Sequence, residues 1–144
     1  MPTGLTKDAG WQIGVARTLD APLPVVWDFI SGPEGLALWL GPGAGLDPRK
    51  GARYETADGA TGEVRGYRAR DRVRVTHRLP GQERETTVQV TVSPAGGDAA
   101  AGRTVLRFHQ ERLADAGERA GRREHWRSVL DAVAAALSPD PAAR

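Results

Sequence analysis

The chain has 144 residues, 40% of them hydrophobic, and a formal net charge of +2, which is typical of one soluble domain with one core. It contains no cysteine, so disulfides, thiolate chemistry and a cysteine-based zinc site are excluded. No apolar run approaches the length of a membrane span, and residues 1–10 lack the apolar core of a signal peptide. We therefore expect a cytoplasmic protein without a membrane partner.

The basic residues do not indicate nucleic-acid binding. The isoelectric point is near 9.5, but basic and acidic residues are interspersed, and most of the basic residues are arginines in a chain rich in alanine and glycine. One local group lies along predicted strands and comprises Arg65, Arg68, Arg70, Arg72, Arg74 and Arg78. We interpret this group as a solvated sheet face and expect no nucleic-acid partner.

The first part of the chain predicts one strand and then two short helices. Residues 1–10 show no periodicity and are expected to be loose, whereas apolar and polar residues alternate over 11–19 as in a half-buried strand. Proline is tolerated at the start of a helix, so a short helix is predicted over 24–30. A second short helix follows Pro33 and ends at Gly41-Pro42.

The middle of the chain predicts a run of strands. Asp58-Gly59 is a strong signal for a hairpin between strands at 52–56 and 61–68. Period-two alternation predicts three further strands, at residues 72–79, 87–92 and 105–110. Because strands joined by hairpins are followed and preceded by helices, the pattern indicates an α+β fold.

The last long segment, 115–137, predicts a helix that requires a partner surface. Its apolar residues recur at three- and four-residue steps and comprise Trp126, Val129, Leu130, Val133 and Leu137. Asp115 with Glu118 indicates a capping box, and Ser138-Pro139 ends the helix. Towards its beginning the same face becomes cationic, with Arg119, Arg122 and Arg123. The apolar stripe must be covered by a sheet or a bundle.

Four short motifs, in this order, resemble a known family. They are Ala21-Pro22-Leu23-Pro24-Val25-Val26-Trp27, Trp39-Leu40-Gly41-Pro42, Asp58-Gly59 with Gly62-Glu63-Val64, and His125-Trp126 with Leu130. The family is the Hsp90-ATPase-activator-homologue-like (AHSA1-like) branch of the START/Bet v 1-like (SRPBCC) superfamily. The likeness covers residues 11–137 as a single domain, with 1–10 and 138–144 as loose termini.

The resemblance implies a helix-grip fold. In that fold, a curved antiparallel sheet wraps around a long C-terminal helix, two short helices follow the first strand, and an apolar cavity is enclosed. Two positions depart from the family pattern. Leu40 replaces a second tryptophan before Gly41-Pro42, and Gln110 replaces a histidine near the end of the last strand. Any role that needs a titrating imidazole at residue 110 is therefore in question.

The candidate ligand-binding residues combine predicted cavity walls with a few polar groups. They are Trp39, Tyr54, Val64, Tyr67, Val75, His77, Val90, Leu106, Phe108, Gln110, Arg122, Trp126 and Leu130. Each polar group also has a structural interpretation. For both His77 and Gln110 the structural interpretation is favoured: His77 as a hydrogen-bonded core residue, and Gln110 as an amide paired within the protein. The arginines of the last helix either hold a ligand carboxylate or phosphate or pair with nearby glutamates.

Three functions remain open. The leading hypothesis is a protein that binds a small hydrophobic or amphipathic molecule between sheet and helix. The alternative is an enzyme of the polyketide cyclase or hydrolase type in the same cavity, although no nucleophile elbow, metal spacing or carboxylate pair is recognisable. The third is an Hsp90-activator-like interaction module. No catalytic residue, metal site or cofactor is assigned, and a homodimer remains open.

Overall fold

The computed structural model describes residues 3–6, 10–97 and 102–139, which form seven strands and three α-helices. The elements in chain order are β1 (Leu5–Thr6), β2 (Gly10–Leu19), α1 (Leu23–Ser31), α2 (Pro33–Trp39), β3 (Arg53–Glu55), β4 (Thr61–Arg68), β5 (Arg72–His77), β6 (Thr86–Pro94), β7 (Thr104–Leu113) and α3 (Ala116–Ala136). A short 3-10 turn at Ala95–Gly97 follows β6. The predicted α+β class is confirmed.

The strands form one antiparallel sheet in the order β1-β2-β7-β6-β5-β4-β3. β1 pairs with β2, and each strand from β3 to β7 pairs with the next one in the chain. The sheet also places β2 beside β7, with Val15 opposite Phe108. This long-range pairing brings the two ends of the domain together. The sheet curves around α3, which packs against β2, β7 and α2. The predicted helix-grip fold is thereby confirmed.

The apolar stripe of α3 is the part of the helix that faces the sheet. Its buried residues are Trp126, Val129, Leu130 and Val133. The helix begins after Asp115, whose Oδ1 accepts a hydrogen bond from the Glu118 backbone N–H at 2.8 Å. This bond is the N-terminal half of the predicted capping box. Within the described ranges, no helix is long and apolar enough to cross a membrane.

The prediction that residues 1–10 are loose is wrong for Leu5–Thr6. This short strand pairs with the beginning of β2, with Leu5 opposite Trp11. The Gln12 backbone N–H donates to the Gly4 carbonyl at 2.6 Å, and Arg119 Nε holds the Gln12 carbonyl at 2.7 Å. A two-residue strand is too short to show a period, so the sequence pattern could not reveal it. The other predicted terminal residues, 1–2, 7–9 and 140–144, lie outside the described residues.

Three aromatic rings fill the space between the sheet and α3. The Phe108 ring from β7 stacks on the Trp126 ring of α3, with centroids 4.7 Å apart and planes at 11°. The Trp39 ring at the end of α2 meets Phe108 at 6.1 Å, and its Nε1 donates to the Ile30 carbonyl at 2.8 Å. Since all three side chains are buried, this part of the interior is closed.

Gly62 on β4 allows the Tyr54 side chain to pass close to the β4 backbone. The Tyr54 hydroxyl lies 2.5 Å from the Thr76 carbonyl oxygen on β5. A Cβ at residue 62 would be 2.0 Å from that oxygen and 2.4 Å from the hydroxyl. By contrast, a Cβ at Gly66 on the same strand would meet nothing within 4 Å. Glycine at position 62 is therefore required by packing.

We expect Gly62→Ala to lower the free energy of unfolding by about 1–3 kcal/mol, because the added methyl group must displace Tyr54 or the β5 backbone. Chemical denaturation followed by circular dichroism measures the change. Gly66→Ala is the matched control and is expected to change stability by less than about 0.5 kcal/mol. Equal effects of the two variants would contradict the packing argument.

Candidate functional site

A cleft lies between the sheet and the N-terminal half of α3, and it consists of two adjoining cavities. The first has a volume of about 230 Å³ and is lined by His77, Leu79, Gln82, Arg84, Thr86, Gln110, Glu118 and Arg122. The second, of about 200 Å³, has among its lining residues Leu38, Trp39, Asp58, Ala60, His77, Leu79, Arg122, His125 and Trp126. Because His77, Leu79 and Arg122 line both cavities, we treat them as one site and call it the α3 cleft.

Gln110 connects β7 to α3 at the floor of the α3 cleft. Its side chain is 3% exposed, and its Oε1 accepts from Arg122 Nε at 2.8 Å and from Trp126 Nε1 at 3.0 Å. Its Nε2 donates to the Thr86 hydroxyl at 2.9 Å, which in turn donates to the His77 carbonyl at 3.2 Å. The amide orientation is fixed, since only the oxygen can accept from the two α3 donors. Gln110 is therefore paired within the protein, and its polar groups hold the cleft in place.

Arg122 presents the unpaired edge of its guanidinium to the α3 cleft. The guanidinium carbon lies 5.3 Å above the centroid of the Trp126 ring, a cation–π arrangement. Hydrogen bonds and ion pairs between described residues engage Nε alone, and no buried side-chain nitrogen or oxygen of those residues lacks a partner. The two terminal nitrogens are therefore accessible. Burial lowers the pKa of Arg122 and the Glu118 carboxylate partly offsets this effect, but a guanidinium remains charged.

His77 is held in one tautomer by its neighbours. The Tyr54 hydroxyl contacts both the Thr76 carbonyl at 2.5 Å and His77 Nδ1 at 2.9 Å. A hydroxyl has one proton and a carbonyl only accepts, so Tyr54 donates to Thr76 and accepts from His77 Nδ1–H. Burial lowers the pKa of His77 below its usual 6.5, as does Arg122, while Asp58 partly opposes the shift. The neutral ring therefore carries its lone pair on Nε2.

His125 is a second imidazole in the α3 cleft. Its ring meets the edge of Trp126 at 4.8 Å with an interplanar angle of 73°. Burial, and then the charges on Arg122 and His77, lower the pKa of His125 to about 4. At neutral pH the cleft therefore contains two neutral imidazoles beside the guanidinium of Arg122.

The predicted site residues separate into two groups. Those that line the α3 cleft are Trp39, His77, Gln110, Arg122 and Trp126. The predicted aliphatic and phenyl walls instead pack within the hydrophobic core, away from both cavities, and comprise Val64, Val75, Val90, Leu106, Phe108 and Leu130. Tyr54 supports His77 from outside the cleft, and Tyr67 packs against the edge of the Trp27 ring at 5.7 Å. The Phe108 ring among these walls stacks on the Trp126 ring, with centroids 4.7 Å apart.

Sequence reasoning missed several cleft residues. Thr86 precedes the predicted strand at 87–92, but it shares the inward phase of Val88 and Val90, which is the signal that could have found it. His125 lies three residues after Arg122, so helical spacing places the two on adjoining parts of one surface. No sequence signal places Asp58, in the β3–β4 turn, beside α3.

Two larger hollows lack the enclosed polar side chains of the α3 cleft. One of about 370 Å³ lies between the end of β2 and the end of α3, where Arg17 pairs with Asp131 at 2.5 Å. Another, of about 570 Å³, lies on the outer face of the sheet, where Arg65 pairs with Glu63 at 2.9 Å and Arg74 pairs with Glu111. Because these arginines are already neutralised by carboxylates, the α3 cleft is the stronger candidate.

The fold and the cleft define a helix-grip domain with a small polar site beside its C-terminal helix. A family model described as "Activator of Hsp90 ATPase homolog 1-like protein" matches residues 20–138, and the chain belongs to that family. A search of curated protein sequences found no match.

Several solved structures share this fold. DynU16, from the dynemicin biosynthetic locus, is 22% identical over 92% of this chain, with a TM-score of 0.73, and the match covers only 49% of DynU16. CalU16 from Micromonospora echinospora is 21% identical over 93% of this chain and 82% of its own, with a TM-score of 0.72. PFC0360w, an HSP90 activator from Plasmodium falciparum, is 14% identical over 81% and 88%, with a TM-score of 0.64. At these identities the likeness shows the fold alone.

We expect Gln110→Leu to lower the free energy of unfolding by about 1–3 kcal/mol, because it leaves the buried Trp126 N–H without its acceptor. Urea denaturation measures the loss. Gln89→Leu on β6 is the control, since Gln89 accepts only from the partly exposed Arg74 at 3.3 Å, and we expect a change below about 0.5 kcal/mol. A neutral Gln110→Leu variant would show that the amide does not hold α3 to the sheet.

We also expect the histidines of the cleft to resist protonation. In an NMR titration, His125 should protonate near pH 4, and Arg122→Met should raise the pKa of both His77 and His125 by removing a nearby cation. His109 is the internal control, because its pKa is lowered by burial and by charges on the outer face that do not include Arg122. Unchanged pKa values at His77 and His125 in the variant would contradict this electrostatic coupling.

The lowered pKa of His125 determines how the stability of the folded state changes with pH. Between the unfolded pKa of about 6.5 and the folded pKa of about 4 for His125, the unfolded chain binds more protons than the folded one. This linkage makes the folded state less stable as the pH falls through that window.

Proposed function

We propose that the chain is a small-molecule-binding domain and that the α3 cleft holds an amphipathic ligand with one carboxylate. The observation that carries this proposal is the accessible edge of Arg122, whose Nε is fixed by Gln110 and whose plane lies over Trp126. A guanidinium with a free edge matches a carboxylate with two parallel hydrogen bonds. Because Gln110 and Trp126 already hold the guanidinium, little ordering of Arg122 is needed on binding.

The charge balance in the cleft favours a carboxylate over a phosphate. Glu118 lies one helical turn before Arg122 and also lines the first cavity. Arg84 also lines this cavity and stays charged, because among the described residues its Nη1 donates only to the neutral Arg112 carbonyl at 3.1 Å. Two guanidinium groups and one carboxylate leave one net positive charge, which a singly charged ligand carboxylate balances and a doubly charged phosphate exceeds.

The remaining surface of the cleft suits an apolar ligand body. Leu79 is 44% exposed although it lies beside buried residues, and Leu38, Trp39 and Trp126 line the second cavity. Pockets for small molecules commonly combine such apolar walls with a few polar groups that orient the ligand. The small volumes of about 230 and 200 Å³ favour a ligand with a single ring.

A chaperone partner is not favoured by any feature of the site. The likeness to the Plasmodium Hsp90 activator, at 14% identity, is evidence of the fold alone, and one fold hosts many functions.

We expect phenylacetate to bind the cleft and its uncharged analogue phenylacetamide to bind about tenfold or more weakly, because the amide lacks the charge-assisted pair with Arg122. The Trp126 indole N–H signal in an NMR titration reports both affinities. Arg122→Met should remove the preference for the carboxylate. Arg123→Met, which alters the exposed neighbouring arginine of the same helix, should retain it.

Either of two results would contradict the proposal. If phenylacetate and phenylacetamide move the Trp126 signal equally, or if Arg123→Met weakens phenylacetate as much as Arg122→Met does, the cleft does not select an anion through Arg122. Glu118→Gln provides a further check, because removing the neighbouring negative charge should tighten phenylacetate binding.

A further inference from the structure

We infer that His77 is a general base in the α3 cleft and that the cleft isomerises small α-keto carboxylates between their keto and enol forms. This inference rests on the proposed function, because it uses the same cleft and assigns the ligand's carboxylate to Arg122. It adds a reaction, a base and a substrate class to the binding site.

The position of His77 Nε2 is the first support. Nδ1 is occupied by the Tyr54 hydroxyl at 2.9 Å, which leaves Nε2 as the only nitrogen available for a ligand. No buried side-chain nitrogen among the described residues lacks a partner, and no hydrogen bond between them uses Nε2, so this atom is accessible. Since His77 lines both cavities, a ligand in either one lies beside its ring.

The surroundings of His77 favour a neutral ring that can accept a proton. The titratable and charged groups around it come from β3, the β3–β4 turn, the β5–β6 hairpin and α3. They are Tyr54, Asp58, Arg84, Glu118, Arg122 and His125. Arg122 disfavours a second positive charge before a ligand arrives. A bound carboxylate would partly offset the effect of the Arg122 charge on the ring, and it would thereby make the ring a stronger base when substrate is present.

The proposed step moves one proton and needs no other reactant. His77 Nε2 removes a proton from the carbon next to the keto group, and the C–H electron pair forms a C=C bond while the carbonyl π pair moves to oxygen. The resulting enolate accepts the proton back from Nε2–H, on oxygen to give the enol or on carbon to give the ketone. The negative charge forms next to the Arg122 guanidinium, which is the kind of prearranged positive group that stabilises such an intermediate.

Tyr54 is a positioning residue in this scheme. Its hydroxyl touches no ligand, but it holds Nδ1–H and therefore keeps the lone pair on Nε2. Without this bond the ring could adopt the other tautomer, in which Nε2 carries the proton and cannot act as a base.

Phenylpyruvate is a direct probe, because it combines one ring, one carboxylate and an acidic methylene next to its keto group. In deuterated buffer, proton NMR follows the loss of the methylene signal as hydrogen exchanges for deuterium. We expect the protein to accelerate this exchange by about 100-fold over an equal concentration of free imidazole, within the usual range for a positioned general base.

Variants identify the base. His77→Gln should abolish the acceleration, while His109→Gln on the outer face of the sheet should retain it. Tyr54→Phe should lower the exchange rate and change its pH profile without weakening phenylacetate binding. The inference is overturned if His77→Gln retains the acceleration. If His125→Gln then removes it, His125 is the base instead.

Binding and exchange are measured separately, so the two proposals fail in different ways. Phenylacetate binding through Arg122 without any accelerated exchange of phenylpyruvate would overturn the general base and leave the binding function intact. Loss of phenylacetate selectivity would overturn the binding function itself. The Trp126 N–H signal also shows whether each variant keeps the folded cleft, so a folding defect is distinguished from a lost base.

Discussion

The attachment of α3 to β7 is the interaction on which the rest of the structure depends. Phe108 and Gln110 are two residues apart on β7, so both side chains point towards the helix. The phenyl ring stacks on Trp126 at 4.7 Å, and the amide oxygen accepts from the same tryptophan and from Arg122. A buried amide must be satisfied, and here the groups that satisfy it belong to α3. The attachment therefore combines apolar packing with a directional polar contact.

This attachment also determines where the interior is closed and where it opens. Towards the middle of α3, the apolar stripe packs directly on the sheet and leaves a filled core. Towards its beginning, the stripe gives way to Arg122, and the guanidinium cannot pack as an aliphatic side chain does because its charge must remain solvated or paired. The α3 cleft lies at this change from an apolar to a cationic helix face. The resemblance places a histidine commonly at position 110, but here the cleft's imidazoles come from β5 and α3 instead.

Membership of the family and likeness to known structures establish the fold, and function depends on the particular side chains in the cleft. The polar groups there include the guanidinium edge of Arg122, the imidazole of His77 with its fixed tautomer, and the imidazole of His125, whose pKa is lowered to about 4. The charged side chains of Asp58, Arg84 and Glu118 also line the cleft. These groups lie within an apolar rim. Their arrangement distinguishes the α3 cleft from the apolar core beside it.

The sequence by itself determined the order of the elements from β2 to α3, the amphipathic stripe of α3 and the alternation that turns His77 and Gln110 inwards, because each follows from a short-range pattern. It also marked Arg122 as the point where that stripe becomes cationic. Only the tertiary structure decided that Val64, Val75 and Phe108 fill a core while Trp39 and Trp126 border a cleft, since both groups are apolar and inward-facing. It likewise brought Tyr54, Asp58 and His125 to the neighbourhood of His77. Such placements depend on how closely elements that are far apart in the chain pack against each other, and no local sequence pattern encodes this packing.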